Sequence, residues 1–345
     1  MRYVIKSTFI MFMILMSFVS CNVEYASNLN YGYYVGIISF NKDKRESFIN
    51  QYDYEGNEGN RIKFSLEGIS YLGDFVPSDD SNFYFKSNDI VSTKGNSYLI
   101  EVDKYTNGYT KVNLDVEDIY KIFIDNDRIY ITHSLNKLSI YNKDLSNEIK
   151  TINVDDHVVG KIYIDDDNVY IFSRNNNGNS YLNVLDKNNL EIINKFNLSK
   201  FGLYQNDMFY YNGKIYFTNY DANAKSESGK IGIYDIYTET FDYINTISNN
   251  LDKILLYEDN IYVTVRGDNS DINKDSVIRI DRKTLKSSKT EFYYNIKVFD
   301  ISEDKIFILS DKYLQIYNAK DFTLFKKIEF DMEENSVISG LILYG

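Results

Sequence analysis

Along most of the chain, apolar and polar residues alternate with period two in short runs, the spacing that turns one face of a strand to a core and the other to water. One grammar recurs. Three mostly apolar residues precede an acidic or glycine-bearing turn, and a branched residue plus an aromatic follow it, as in Ile122-Phe123-Ile124, Asp125-Asn126-Asp127, Ile129-Tyr130. The same order runs from Ile162 to Tyr170, Met208 to Tyr216, Leu255 to Tyr262 and Val298 to Phe307. The aromatic positions 130, 170, 216, 262 and 307 lie 40, 46, 46 and 45 residues apart, and Tyr84 precedes Tyr130 by 46. Each unit continues with two more alternating segments, such as Leu138-Ser139-Ile140-Tyr141 and Glu148-Ile149-Lys150-Thr151-Ile152. Four short strands at this period predict the blades of an all-β propeller.

Third strands are expected at residues 181–185, 231–234, 277–280 and 314–317, and fourth strands ending near Leu198, Ile247, Phe292 and Phe330. Upstream, residues 83–85, 98–102 and 109–114 make a further unit, for which residues 69–75, followed by the single proline Pro77, are a poor first strand. The two ends complement each other. Residues 337–344 read as an inner strand without partners, whereas residues 33–40 and 46–52 read as third and fourth strands without a first, with 23–26 as a second. Pairing the C-terminal strand with the N-terminal ones closes the ring and removes exposed sheet edges. Seven blades is the predicted count, with six or eight as the alternatives.

Composition narrows the function. With 43% hydrophobic and 16% aromatic residues, 33 of them Tyr, the chain can bury a large core. A formal net charge of −12 works against binding a phosphate backbone, which needs Lys and Arg to displace counterions, so no nucleic-acid partner is expected. A single Cys permits neither an internal disulfide nor a cysteine zinc cluster.

That cysteine sits in a telling place. Arg2 and Lys6 are followed by an uncharged apolar stretch that ends at Phe18-Val19-Ser20-Cys21. A basic start and an apolar run too short to span a membrane read as an export signal. With small Ser20 before the cysteine, residues 1–21 resemble the signal and lipobox of bacterial lipoproteins. The resemblance implies cleavage before Cys21, lipidation of its thiol with a diacylglyceryl group whose two chains are of the palmitate type, and a location on the extracytoplasmic side of the cell membrane. The expected organisation is a signal peptide at 1–20, a lipidated Cys21 with a short tether or first strand at 21–30, and one propeller domain at 31–345. Removal of residues 1–20 takes away Arg2 and Lys6 and no acid, so the remaining charge is −14. The period and strand grammar of residues 31–345 resemble the broad YVTN and quinoprotein-like propeller superfamily. The chain has no Trp, so the docking tryptophans of quinoprotein repeats are missing and a quinone cofactor is not implied.

In a propeller, connections from second to third strands and from fourth to first share one side of the ring. Here the long polar connections 174–180, 219–230 and 266–276 are of the first kind, and long loops on a rigid ring suit binding. Asp271, Asn273 and Asp275 stand at alternate positions in the last, with Asp268 nearby, a spacing of oxygen donors that can wrap Ca2+. His133, with Asp155, Asp156 and His157, forms a second candidate set for a divalent metal or an acid/base pair on the same side. The turn acids Asp125, Asp127, Asp165, Asp166 and Asp167 are expected to serve hairpin geometry. No catalytic motif stands out, so no catalytic residue is named. The sequence therefore predicts a membrane-anchored binding or assembly module whose partner, a protein, peptide or other ligand, meets loops on one side. The alternative is a metal-dependent propeller hydrolase of lactonase-like kind, its metal held by acids in the channel.

Overall fold

The computed structural model describes residues 33–64, 68–87, 97–154, 157–175, 177, 179–202, 204–220, 229–267 and 275–344. These form seven four-stranded antiparallel sheets, and every regular element among them is a strand. The chain is a seven-bladed β-propeller. Blades 2 to 7 follow sequence order over 69–116, 119–153, 157–197, 204–245, 251–291 and 298–329, and blade 1 joins the two ends.

In blade 1 the innermost strand is Ser336–Leu343, paired antiparallel with Tyr33–Asn41 from Val35↔Leu343 to Asn41↔Ser336. The N-terminal strands are shifted by one from the expected assignment. Tyr33–Asn41 and Glu46–Asp53 are the second and third strands, and the fourth is Glu58–Phe64, a segment the hydrophobic pattern did not mark. Its mostly exposed positions explain the omission, since the outermost strand of a blade has little to bury. Residues 23–26 lie outside the described residues.

The periodic aromatics build the contacts between blades. Tyr84, Tyr130, Tyr170, Tyr216, Tyr262 and Phe307 are all buried. Tyr130 of blade 3 packs with Ile162 and Val169 of blade 4, Tyr216 of blade 5 with Ile254 and Val263 of blade 6, and Phe307 of blade 7 with Val35 and Leu341 of blade 1. A large ring at each seam supplies the apolar area that holds neighbouring sheets face to face.

The third strands end in a second repeated device. Asp103, Asp186, Asp235 and Asp281 each accept backbone N–H bonds, on Oδ1, from the residues two and three positions ahead, as from Lys283 at 3.0 Å and Thr284 at 2.7 Å for Asp281. These side chains replace turn hydrogen bonds that the backbone cannot make.

Candidate functional site

The inner strands position charged side chains on the ring axis. Lys121, Lys161, Asp207 and Lys253 each stand one residue before the apolar positions Ile122, Ile162, Met208 and Ile254 of the repeat. At each place the pairing of first and second strands is interrupted by a bulge. A bulge leaves an N–H without a ladder partner, and in three blades a buried threonine of the second strand takes it. Lys121 N donates to Thr132 Oγ1 at 3.1 Å, Asp207 N to Thr218 Oγ1 at 3.2 Å and Lys253 N to Thr264 Oγ1 at 2.8 Å.

Blade 2 contributes differently. Its inner strand is only Ile69–Ser70, after which the chain leaves the sheet and crosses the channel. Tyr71 N donates to Ser339 O at 2.7 Å and Val76 N to Leu341 O at 3.0 Å in blade 1, while Gly73 bonds Lys297 O and Phe299 N in blade 7. Gly73 has φ 104, a conformation that favours glycine, and a Cβ there would stand 2.9 Å from Lys253 Nζ. This crossing explains why residues 69–75 read as a poor strand: only Ile69 and Ser70 pair within the blade, and the rest form a plug.

Asp74 at the plug's centre gathers lysines from three blades. Its carboxylate lies 2.8 Å from Lys121 Nζ, 3.1 Å from Lys253 Nζ and 3.8 Å from Lys161 Nζ, and Lys161 is also 3.7 Å from Asp207. Asp207 Oδ2 accepts from Ile254 N, and Asp300 of blade 7 accepts from Phe75 N and Ile301 N. Burial opposes ionisation of Asp74, but Lys121, Lys161 and Lys253 outweigh it and hold the carboxyl well below its usual range. Burial likewise opposes the charge on Lys161, and Asp207, Asp74 and Asp300 outweigh it, so its pKa is raised. Asp300 goes the other way. Burial, reinforced by the negative charge of Asp74 and only partly offset by Lys161, pushes it up to about 6.

The structure places the loop-side candidates as follows. Asp268, Asp271 and Asn273 lie outside the described residues. Asp275 is described, and both its oxygens accept backbone N–H bonds, Oδ1 from Gly267 at 3.0 Å and Oδ2 from Ile296 at 2.7 Å. His133 ends a second strand and His157 opens the next inner strand, at the same side of the ring as expected. His133 is held inside its blade by two serines. It is 3% exposed, with Nδ1 2.9 Å from Ser134 Oγ and Nε2 2.7 Å from Ser139 Oγ. Burial, then the Lys137 ammonium, pushes its pKa down to about 4. Asp155 and Asp156 lie outside the described residues, as does Cys21. Among the described residues no group of three or more His, Cys, Asp or Glu is arranged to hold a metal.

The turn acids behave as hairpin residues. Asp165 Oδ1 accepts from Asp167 N and Asn168 N, and Asp125 pairs with Lys187 at 2.7 Å.

No family model matches the sequence, and no curated protein matches it. Solved structures do resemble the fold. BamB from Moraxella catarrhalis matches with a TM-score of 0.54 at 11% identity, over 90% of this chain and 92% of that one. A functionally unknown protein from Desulfotomaculum acetoxidans gives 0.56 at 15% identity, over 90% and 98%. AztD from Citrobacter koseri gives 0.55 at 10% identity, over 90% and 97%. At these identities the likeness establishes the propeller architecture and nothing finer.

Proposed function

We propose that this chain is a lipid-anchored, extracytoplasmic β-propeller that binds a protein or other ligand through the loops on its second-to-third and fourth-to-first side. The observation that carries the reading is where the chain ends enter the ring. Tyr33 starts a second strand and Leu343 ends an inner one, so both termini leave from the side opposite those loops. A tether of residues 22–32 reaches at most roughly 40 Å when fully extended. An anchor on Cys21 would therefore keep the turn side toward the membrane and present the long loops outward. Among the described residues no helix is long and apolar enough to cross a membrane, which is compatible with attachment through lipid. The acidic body favours a cationic partner surface.

The channel speaks against the alternative of a metal-dependent hydrolase. Its acids Asp74, Asp207 and Asp300 face Lys121, Lys161 and Lys253, so a divalent cation there would have to displace ammonium groups already in place. Fractionation of cells carrying Cys21→Ser tests the anchor, with release from the membrane fraction expected. Crosslinking in intact cells tests the loops. Shortening 219–230 and 266–276 should abolish a discrete crosslinked partner, and an unchanged crosslink would overturn the loop assignment. Stoichiometric metal in protein purified without chelator would reinstate the enzyme reading.

A further inference from the structure

The turn side carries an aromatic group that neither the fold nor the loop reading uses. At the seam of blades 4 and 5, the rings of Tyr163 and Tyr210 stack with centroids 4.4 Å apart and planes 11° from parallel. The hydroxyls of Tyr163 and Tyr237 lie near enough to that of Tyr210 to feel it: burial and then Tyr210 push the pKa of Tyr163 up, and Tyr210 ahead of any other cause pushes up that of Tyr237. Tyr237 is 79% exposed and lies over the turn at Gly213, where a Cβ would come 2.3 Å from its ring. Asp165, Asp166 and Asp235 surround these rings closely enough to act on their hydroxyls electrostatically. The nearby bases are already engaged, Lys214 with Asp235 at 3.4 Å and Lys187 with Asp125.

Four other tyrosines are covered by the protein's own cations. Lys195 stands over Tyr181 at 4.6 Å, Lys230 over Tyr243 at 4.5 Å, Lys327 over Tyr313 at 3.7 Å and Arg282 over Tyr211 at 4.6 Å. Among the described residues no Lys or Arg stands over Tyr163, Tyr210 or Tyr237. The acidic turns 125–127, 165–167, 258–259 and 303–304 all open on this side of the ring. Asp125, Asp259 and Asp304 of these turns pair with Lys187, Lys283 and Lys305, whereas among the described residues no Lys or Arg forms an ion pair with Asp165 or Asp166, which border the uncovered aromatic platform and make it the complement of a cation.

We propose that Tyr163, Tyr210 and Tyr237, rimmed by Asp165, Asp166 and Asp235, form a docking site for a basic polypeptide segment. One Arg or Lys lies on the exposed tyrosine face, and neighbouring basic residues pair with the carboxylates. The site goes beyond the loop-side reading, because it is on the opposite side of the ring and stands or falls without it. It lies across the ring from blade 1, where the chain enters, on the side that the proposed anchor would turn toward the membrane.

The test is fluorescence anisotropy with the full chain in a non-ionic detergent, using a labelled peptide of alternating Arg and Gly at low and physiological salt. The parent is expected to bind. Tyr237→Ala, which leaves the net charge unchanged, is expected to weaken binding about fivefold. Asp166→Asn should weaken it further, while Asp331→Asn, the same charge change at an exposed residue on the loop side, should have little effect. Tyr237 is exposed, so its variant should melt with the parent. Four results would overturn the proposal: no peptide binding at low salt, parental affinity in Tyr237→Ala, equal losses from Asp166→Asn and Asp331→Asn, or Tyr237-dependent binding of a neutral oligosaccharide in place of the peptide. None of these touches the loop-side crosslink, whose failure is read separately.

Discussion

Lys253 of blade 6 reaches the carboxylate of Asp74 at 3.1 Å, although 179 residues separate the two along the chain. With Lys121 on the other carboxylate oxygen, this pair ties a segment leaving blade 2 to the inner strands of blades 3 and 6. The channel is closed by ion pairing at its axis, with backbone hydrogen bonds holding the plug at either side.

Asp74→Asn should be strongly destabilising. The amide keeps the shape of the side chain but leaves Lys121, Lys161 and Lys253 without the carboxylate that offsets their burial. Breaking a buried pair from one side typically costs about 3–5 kcal/mol. A urea transition should show a lower midpoint with an unchanged slope, and a midpoint equal to the parent's would mean that the lysines find other partners.

Asp300 predicts a pH dependence of a definite sign. Its pKa is raised from 3.8 to about 6, so the folded state holds a proton that the unfolded chain releases. Its contribution is fully present below about pH 4 and is lost as pH rises through 6. In Asp300→Asn the corresponding step should vanish. The difference in melting temperature between parent and variant, followed from pH 4 to 8, should fall with rising pH and level off above about 7.

His133 has the opposite slope. Its pKa falls from 6.5 to about 4, so the folded state refuses a proton that the unfolded chain accepts. Stability is complete above 6.5 and declines as pH drops toward 4, by roughly 3 kcal/mol in all. His133→Gln should remove that decline. Titration of the ring by NMR offers a direct check, and an apparent pKa near 6.5 would show that the ring is solvated after all.

Gly340→Ala tests the passage of the plug. A Cβ at this position would lie 2.8 Å from Tyr71 O and 2.8 Å from Ile38 Cδ1. Isoleucine can turn aside, but the Tyr71 backbone is pinned through its N–H to Ser339 O. A loss of about 1–3 kcal/mol is expected, the usual range for overpacking, and thermal melting would measure it.

Much of this architecture is legible in one dimension because it repeats. The seam aromatics recur with the blade period, since each must fill the same space against its neighbour. The charges before Ile122, Ile162, Met208 and Ile254 recur as well, as does the threonine two places after Tyr130, Tyr216 and Tyr262. Those signals were available but weak, because a lone Lys or Asp beside an apolar triplet looks like any solvated residue. Glu58–Phe64 escaped notice for the converse reason, since an outermost strand presents few buried positions to betray it.

The sequence by itself determined the blade grammar and pointed to closure of the ring by its two ends, because strand alternation and period are local properties repeated along the chain, while the count of seven against six or eight was decided by the structure. It could not reveal that Asp74 would meet lysines from three other blades, or that Tyr163, Tyr210 and Tyr237 would converge while the acidic turns crowd one side. Those pairings depend on the angle at which successive sheets are set around the axis. Only the closed ring brings residues so distant in the chain within reach of one charge.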